Sequence, residues 1–311
     1  MPDPVTVVRR FNRSYTQRIG VLEDSFLGMG MPLGPARLLF EIGAGEAGSG
    51  ELGSGELGSG DIGSGPATAQ ALRERLGLDS GYLSRLLRTL QNDGLIEVVP
   101  DQTDGRRRRV TLTGKGRDRW TELERRSDER ARLLIEPLTD RQRQRLAAAL
   151  AEADLLVRAA TVTFEPVSPS APAAQDAVGR YFAEIGRRFG FDPAGEPDKD
   201  AKHLVPPDGL FVVAVCDGMP VACGGVQTIA PGVGELKRMW VHDEWRGAGL
   251  GSRLLRHLEE QAHEMGHGTL RLDTNRALGE AIGMYLSAGY VAIERYNDNP
   301  WATDFFEKSL A

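Results

Sequence analysis

Apolar positions recur at helical spacing from the start of the chain. Val8, Phe11, Tyr15, Ile19 and Leu22 share one face, so residues 4–24 are expected to form an amphipathic helix. A second helix is expected over 34–42, where Leu38, Leu39 and Ile42 are apolar. The pattern then stops. Residues 48–65 read GSGELGSGELGSGDIGSG, a repeat of Gly-Ser-Gly-acid-aliphatic. Its period is too short for a solenoid, and its glycine and serine content predicts a flexible coil. Helical spacing resumes in ATAQALRERLG and LDSGYLSRLLRTLQNDG, two short helices around Gly77-Leu78-Asp79. Leu72 and Leu76 mark the apolar face of the first, and Leu83, Leu86, Leu87 and Leu90 that of the second. Asp79 is placed to cap the second. LIEVV and RRRRVTLT alternate as strands around a turn at Asp104-Gly105. Two longer helices follow, over about 113–135 and 139–160, and Thr139 and Gln142 have capping-box spacing.

Past residue 160 strands and helices interleave. TVTFEPV is a short strand, and helices are expected over 173–190 and 197–204. FVVAVC and VACGGVQTIA form a hairpin around DGMP, and ELKRMWVH is a further strand. A helix from Gly249 to about Met265 carries Leu250, Leu254, Leu258 and Ala262 on one face. TLRLDT is a strand, GEAIGMYLSAG a helix, and YVAIERY and TDFFEKSL are closing strands. This order predicts a sheet domain of the α/β or α+β kind. With 311 residues there is chain for two domains. They are placed at 1–158 and 160–311, with 44–66 as a flexible insert in the first.

Composition, 41% hydrophobic and 26% charged, is that of a globular protein. No run approaches the roughly 20 apolar residues of a membrane span, and MPDPVTVVRRFNRSYTQ lacks a signal-type apolar core. The cysteines, Cys216 and Cys223, are too few for a disulfide framework and are expected as buried thiols in neighbouring strands. A cytoplasmic location, with no membrane partner, is the expectation. The net charge of −6 hides an asymmetry. Residues 1–160 hold 24 Lys and Arg against 23 Asp and Glu, whereas residues 161–311 hold 14 against 21. Four of the first-half acids, Glu46, Glu51, Glu56 and Asp61, lie in the odd insert. The two halves are therefore expected to meet different partners.

Helix, tight turn, helix and basic hairpin is the winged helix-turn-helix order, whose second helix enters the major groove of double-stranded DNA. Opposite its leucine face lie Ser80, Gly81, Ser84, Arg85 and Arg88. Arg85 and Arg88 can contact bases or phosphates, and Ser80 and Ser84 can hydrogen-bond phosphate. Arg106, Arg107, Arg108 and Arg109 run consecutively along the hairpin, and alternation sends about two of them toward DNA. DGLIEVVPDQTDGRRRRVTLTGKG resembles the wing of MarR-type transcriptional regulators, which show an Asp-x-x-Asp-x-Arg run, a Val-x-Leu-Thr strand end and a following Gly. The resemblance covers 1–158. It implies a mainly α winged-helix domain that forms a homodimer through its first and last helices and binds pseudo-palindromic DNA. The GSGEL insert, with its acidic residues, is a departure from that family's pattern.

EWRGAGLG, residues 244–251, packs three glycines where a helix begins. Glycine costs roughly 0.5–1 kcal/mol against Ala inside a helix. It also lets an anion approach the unpaired N–H groups of the first turn with no Cβ in its way. The spacing is neither Gly-x-Gly-x-x-Gly nor that of a Walker loop. It is Arg-x-x-Gly-x-Gly, at Arg246, Gly249 and Gly251. After strand ELKRMWVHDEW, this run looks like motif A of the GNAT acetyltransferases. LDTNRALGEAIGMYLSAGYVAIERY resembles the same family's ending at Asn275, Tyr285, Gly289 and Tyr290. Together they cover about 160–311 and imply an α+β mixed sheet flanked by helices, with acetyl-CoA as acetyl donor. Backbone groups along Met239, Trp240 and Val241 would pair with the pantetheine arm. N–H groups of Arg246, Gly247, Ala248, Gly249, Leu250 and Gly251 would hold the pyrophosphate, and Asn275 would orient the cosubstrate or its thioester.

In related enzymes the position of Glu235 often holds a general base, here acting through water; Tyr285 would protonate the departing thiolate. A backbone N–H, that of Met239 for example, would polarise the carbonyl oxygen. Trp301 and Tyr296 are candidate walls of the acceptor pocket, and Glu294, Asn297 and Asp298 candidate ammonium ligands. His257, His263 and His267 are expected as surface residues, with no metal. The expectation is a regulator joined to an acetyl-CoA-dependent N-acetyltransferase in which an amine, of a small molecule or of a protein, attacks the thioester directly. The alternative is a DNA-binding regulator whose second domain only senses acetyl-CoA or a small amine. The acidic charge of the second half favours cationic acceptors at long range.

Overall fold

The computed structural model describes residues 3–19, 23, 25–49, 68–100, 108–190, 201–216 and 219–310. They fall into two compact units, 1–148 and 149–311. The division lies ten residues before the expected boundary, within helix α6 (Asp140–Thr161).

The first unit begins with α1 (Pro4–Arg18), capped by the Asp3 side chain. The expected helix to residue 24 is shorter: it ends at Arg18, with Ile19 as its C-cap. None of its residues is buried, and Val5, Val8, Phe11 and Tyr15 are exposed. Helix α2 (Leu33–Ser49) runs seven residues beyond the expected end. The insert was expected to be coil from residue 44, but residues 44–49 continue this helix. A physical reason is Glu46, whose Oε1 accepts the N–H of Leu112 at 2.7 Å. This acid belongs to the fold rather than to a free acidic tract. Insert residues 50–66 lie outside the described residues.

Helices α3 (Ala69–Leu76) and α4 (Ser80–Asn92) form the expected pair. Asp79 Oδ1 accepts Tyr82 N–H at 2.8 Å, as a cap should, and Leu83, Leu86 and Leu90 are buried. Strands β1 (Ile96–Pro100) and β2 (Arg108–Leu112) pair antiparallel, and the turn at Asp104-Gly105 lies outside the described residues. Helix α5 (Gly114–Ile135) follows, with Thr113 as its cap, and Thr139 and Gln142 exchange the capping-box bonds at the start of α6. Gly116 packs so closely that a Cβ there would stand 1.9 Å from the Leu95 carbonyl oxygen. Backbone cannot yield as a side chain can. Gly116→Ala is therefore expected to destabilise this unit by about 1–3 kcal/mol, read as a lower urea midpoint.

The second unit is one seven-stranded sheet in the order β3-β4-β5-β6-β7-β9-β8. Its strands are β3 (Glu165–Pro166), β4 (Gly209–Cys216), β5 (Met219–Ala230), β6 (Val233–Val241), β7 (Thr269–Thr274), β8 (Val291–Ala292) and β9 (Asp304–Ser309). All neighbours are antiparallel except β6 and β7. Alternation sorts β4: Phe211 and Val213 pack with Ala174 and Ala177 of α7 (Pro172–Phe189), while Val212 and Ala214 pack with Leu254, Leu255 and Leu258 of α8 (Leu250–Glu264). The sheet thus carries a helix on each face. Helix α9 (Gly279–Ser287) and the end of α6, through Ala159, join the α8 side.

Two features of β6 open this sheet. Its parallel pairing with β7 covers only Val233–Thr269, Gly234–Leu270 and Glu235–Arg271, after which the strands diverge. Beyond that point its register on β5 slips between Cys223 and Gly225, where Arg238 has φ 55. This is a bulge. It reverses the side-chain phase: Leu236 faces α8, whereas Trp240 faces α7, although four residues would normally restore the same face. Cys223 is buried and Cys216, at the strand end, only half-buried. His267 was expected at the surface but is buried, its ring Nε2 3.2 Å from the Thr228 hydroxyl.

Candidate functional site

Where β6 and β7 diverge, two cavities meet in the second unit. The first, about 580 Å³, runs along Met239, Trp240 and Val241 to Arg246, Gly247, Gly249, Leu250, Gly251 and Ser252. The second, about 540 Å³, is bounded by Glu235, Lys237, Arg238, Asp273, Asn297 and Trp301 among others. Tyr181, Ile185, Met239, Leu278, Ala281 and Tyr285 line both, so they form the waist of one passage.

The glycine end is shaped for an anion. Gly247 has φ 80 and Gly249 φ 77, left-handed values that favour glycine. A Cβ at either would meet no atom within 4 Å, so the space they leave open is not filled by protein. Gly249 is the N-cap of α8 and offers no side-chain cap, which leaves first-turn N–H groups to an outside acceptor. On β6, His242 N–H donates to Val221 of β5, so by alternation the backbone of Val241 and Met239 faces the gap. This edge, the glycine turn and the passage between them fit a nucleotide diphosphate with a long extended arm.

The side chain of Arg246 is turned to protein partners, one of them on that edge. Its Nη2 donates to Glu184 Oε2 at 2.5 Å and to the Val241 carbonyl at 3.2 Å, with Asp243 Oδ1 at 2.9 Å. Glu184 of α7 is buried and also accepts Trp240 Nε1 at 2.9 Å, with Arg188 Nε at 3.0 Å. One carboxylate therefore anchors the strand end and the glycine turn to α7. Nothing in the helical pattern of residues 173–190 marks it. The Val241 carbonyl, expected to pair with an arm of the cosubstrate, already accepts from Arg246. Ala248 is partly buried and Leu250 wholly so, leaving their backbones as the parts that face the turn.

Asn275 lies away from the glycine end. It lines the second cavity, its Nδ2 donates to the Trp301 carbonyl at 2.7 Å, and its Oδ1 accepts Ala277 N–H at 2.9 Å. It holds a turn together and does not reach the glycine end.

Tyr285 sits at the waist, 7% exposed, its hydroxyl 3.8 Å from Met239 Sδ and its ring edge-on to Tyr290. Burial pushes its hydroxyl well above the usual phenol range, so it stays protonated at working pH. Glu235, the last position of β6 paired with β7, is buried at the floor of the second cavity. Its Oε1 accepts from the Tyr296 hydroxyl at 2.7 Å and Asn297 Nδ2 at 3.1 Å. Its Oε2 accepts from Gln227 Nε2 at 2.7 Å and lies 3.2 Å from Lys237 Nζ. Both oxygens are engaged, so a water can reach them only by replacing one of these donors. Asn297 and Trp301 line the cavity, whereas Tyr296, expected as a second wall, Glu294 and Asp298 do not. Asp273 and Arg238, unnoticed in the sequence, do. Among the described residues no group of three side chains is arranged to hold a metal ion.

In the first unit, Arg85 and Arg88 are exposed on α4, opposite its buried leucines, and Arg108 and Arg109 are exposed on β2. Arg106 and Arg107 lie outside the described residues. Ser80 is exposed. Ser84 was expected to bond phosphate, but its hydroxyl donates to the Ser80 carbonyl at 2.8 Å and so spends the proton a phosphate would need.

Comparison with known proteins gives two family matches. Residues 178–290 match the Acetyltransferase (GNAT) family, and residues 62–107 match the MarR family. The chain is 34% identical over 143 residues to an "IAA acetyltransferase" of Azospirillum brasilense, covering 44% of this chain and 92% of that protein. It is 34% identical over 126 residues to an uncharacterized N-acetyltransferase of Schizosaccharomyces pombe, covering 40% of this chain and 77% of that one. Among solved structures, an acyl-CoA N-acyltransferase described as putative, from Klebsiella pneumoniae, is 26% identical with a TM-score of 0.40, covering 49% of this chain and 99% of that one.

Proposed function

Because the chain belongs to the GNAT acetyltransferase family, is an N-acetyltransferase whose cosubstrate is acetyl-CoA, and carries a MarR-family segment ahead of that domain, we propose that it couples direct acetylation of an amine to DNA binding. The observation that carries the enzymatic half is the continuous passage from the open glycine turn, past Tyr285, to a polar cavity. Acetyl-CoA supplies the thioester that an amine attacks, and its sulfur departs as a thiolate. The first-turn N–H groups of α8, with those of the glycine turn before it, bind the diphosphate. The exposed edge of β6 at Met239 and Val241 aligns the arm, and the Met239 N–H polarises the carbonyl. Glu235 takes the proton of the amine through a water that replaces the Asn297 amide, the longer of the two bonds to Oε1. The Tyr285 hydroxyl donates to the departing sulfur. Calorimetry with acetyl-CoA, followed by thiol release with a panel of amines, tests this reading. No heat of binding would end it.

The DNA-binding half is supported by the charged face of α4 and the arginines of β2. A homodimer through the first and last helices of the N-terminal region accounts for the exposed apolar face of α1, where Phe11 and Tyr15 stack at 5.4 Å. Arg85 and Arg88 together contribute counterion release if they meet phosphate. Replacing both with Ala is expected to make the slope of log affinity against log salt shallower by about 1 per lost contact. Gel-shift titrations at several salt concentrations read this directly, and an unchanged slope would exclude phosphate contacts by these two residues. No helix among the described residues is long and apolar enough to cross a membrane.

A further inference from the structure

The acceptor-side cavity has two charged poles. One is Asp273, on β7 just past the last β6–β7 pair. Its Oδ2 accepts from Asn297 Nδ2 at 2.6 Å and Asn299 Nδ2 at 3.2 Å, with Lys237 Nζ at 3.6 Å. These contacts fix the carboxylate through one oxygen and leave Oδ1 without a hydrogen bond among the described residues. The other pole is Arg238, on the bulge with φ 55, a strained value for a residue with a Cβ. Its guanidinium lies 4.6 Å from the Phe182 ring centre and 5.7 Å from that of Tyr181. Both poles act on one hydroxyl. Burial pushes the Tyr181 phenol above its ordinary value, Arg238 pulls it down, and Asp273 pushes it up again.

Lys237 lies between Glu235 and Asp273, so two carboxylates and two cations are among the described residues that line the cavity. A polycation would meet both cations as well as both carboxylates. The acidic total of this half draws cations from a distance, but these local charges select among them. Phe182, Phe189 and Trp301 add apolar wall. An amine that also bears a carboxylate has a complement at each end, and Arg is suited to a planar carboxylate.

We propose that the acceptor is an aminocarboxylic acid with an apolar or aromatic body, its ammonium on Asp273 and its carboxylate on Arg238. This rests on the acetyl-transfer reading above. The test uses the full chain with acetyl-CoA and three probes: phenylalanine, phenethylamine, which is the same molecule without its carboxylate, and spermidine. Thiol release should show kcat/KM for phenylalanine at least about tenfold above phenethylamine, with spermidine lower still. Arg238→Gln should raise the phenylalanine KM about tenfold and the phenethylamine KM far less; Asp273→Asn should raise KM for both. Preference for phenethylamine or spermidine, equal loss for both monoamines in Arg238→Gln, or no turnover of any probe by protein that binds acetyl-CoA would overturn the assignment. Calorimetry with acetyl-CoA on the same samples separates the two readings. Failure to bind it condemns acetyl transfer itself and takes the inference down with it.

Discussion

Tyr285→Phe is expected to lower kcat about 10²-fold while leaving acetyl-CoA affinity unchanged. An effect at the lower end of general-acid catalysis is expected because a thiolate leaves more readily than an alkoxide. Removing the hydroxyl deletes the donor at the waist and little else. The ring still packs edge-on to Tyr290 at 5.8 Å and beside Phe306 at 6.4 Å, so the core stays filled. The hydroxyl's own contact, 3.8 Å to Met239 sulfur, is weak. The pH profile gives a second readout. Because burial holds the phenol above its ordinary value of about 10, wild-type kcat should show no alkaline fall from this group below that pH. Stopped-flow or steady-state thiol release measures both. A Phe variant with wild-type kcat would remove Tyr285 from the chemistry.

Gly249→Val is expected to weaken acetyl-CoA binding by about 10²-fold or more. Two costs add. A β-branched residue at φ 77 sits in a left-handed region that costs roughly 1–2 kcal/mol for a residue with a Cβ. Its side chain also enters space that no protein atom occupies within 4 Å, which is the approach to the first-turn N–H groups of α8. Gly249→Ala should give a smaller loss, about tenfold, since it carries the strain with less bulk. Calorimetry with acetyl-CoA measures the affinity, and the thermal melt of each variant separates strain from blocked access. Equal, wild-type affinity in both variants would mean the diphosphate lies elsewhere.

Most of the scaffold was legible because its signals are local. Asp79 and Thr139 cap the helices they precede, and strand geometry sorts the residues of FVVAVC between the two faces. Gly247 and Gly249 were legible too, since a cluster of glycines at a helix start has few other uses. What the sequence concealed depends on contacts between distant segments. Glu184 is one acid among several in an amphipathic helix until Trp240 and Arg246 arrive beside it. Glu46 lies at the edge of a Gly-Ser repeat and reads as coil, yet it bonds the backbone 66 residues away. Arg238 carries no sign of its bulge, because the slip arises from pairing with β5. Asn275 and Ser84 have the right chemistry for ligands, but Asn275 bonds its own turn and the Trp301 carbonyl between β8 and β9, and Ser84 bonds its own helix.

The position of Glu235 bears on how any substitution there is interpreted. It stands at the crotch of a fork, on the final rung joining β6 to β7. Its oxygens tie in Gln227 from β5, Lys237 from β6, and Tyr296 and Asn297 from the segment between β8 and β9. It is a keystone as well as a proton acceptor, so the width of the opening and the chemistry inside it share one side chain. A rate lost in Glu235→Gln would report both at once; only an unaltered grip on acetyl-CoA would assign the loss to the proton rather than to the aperture.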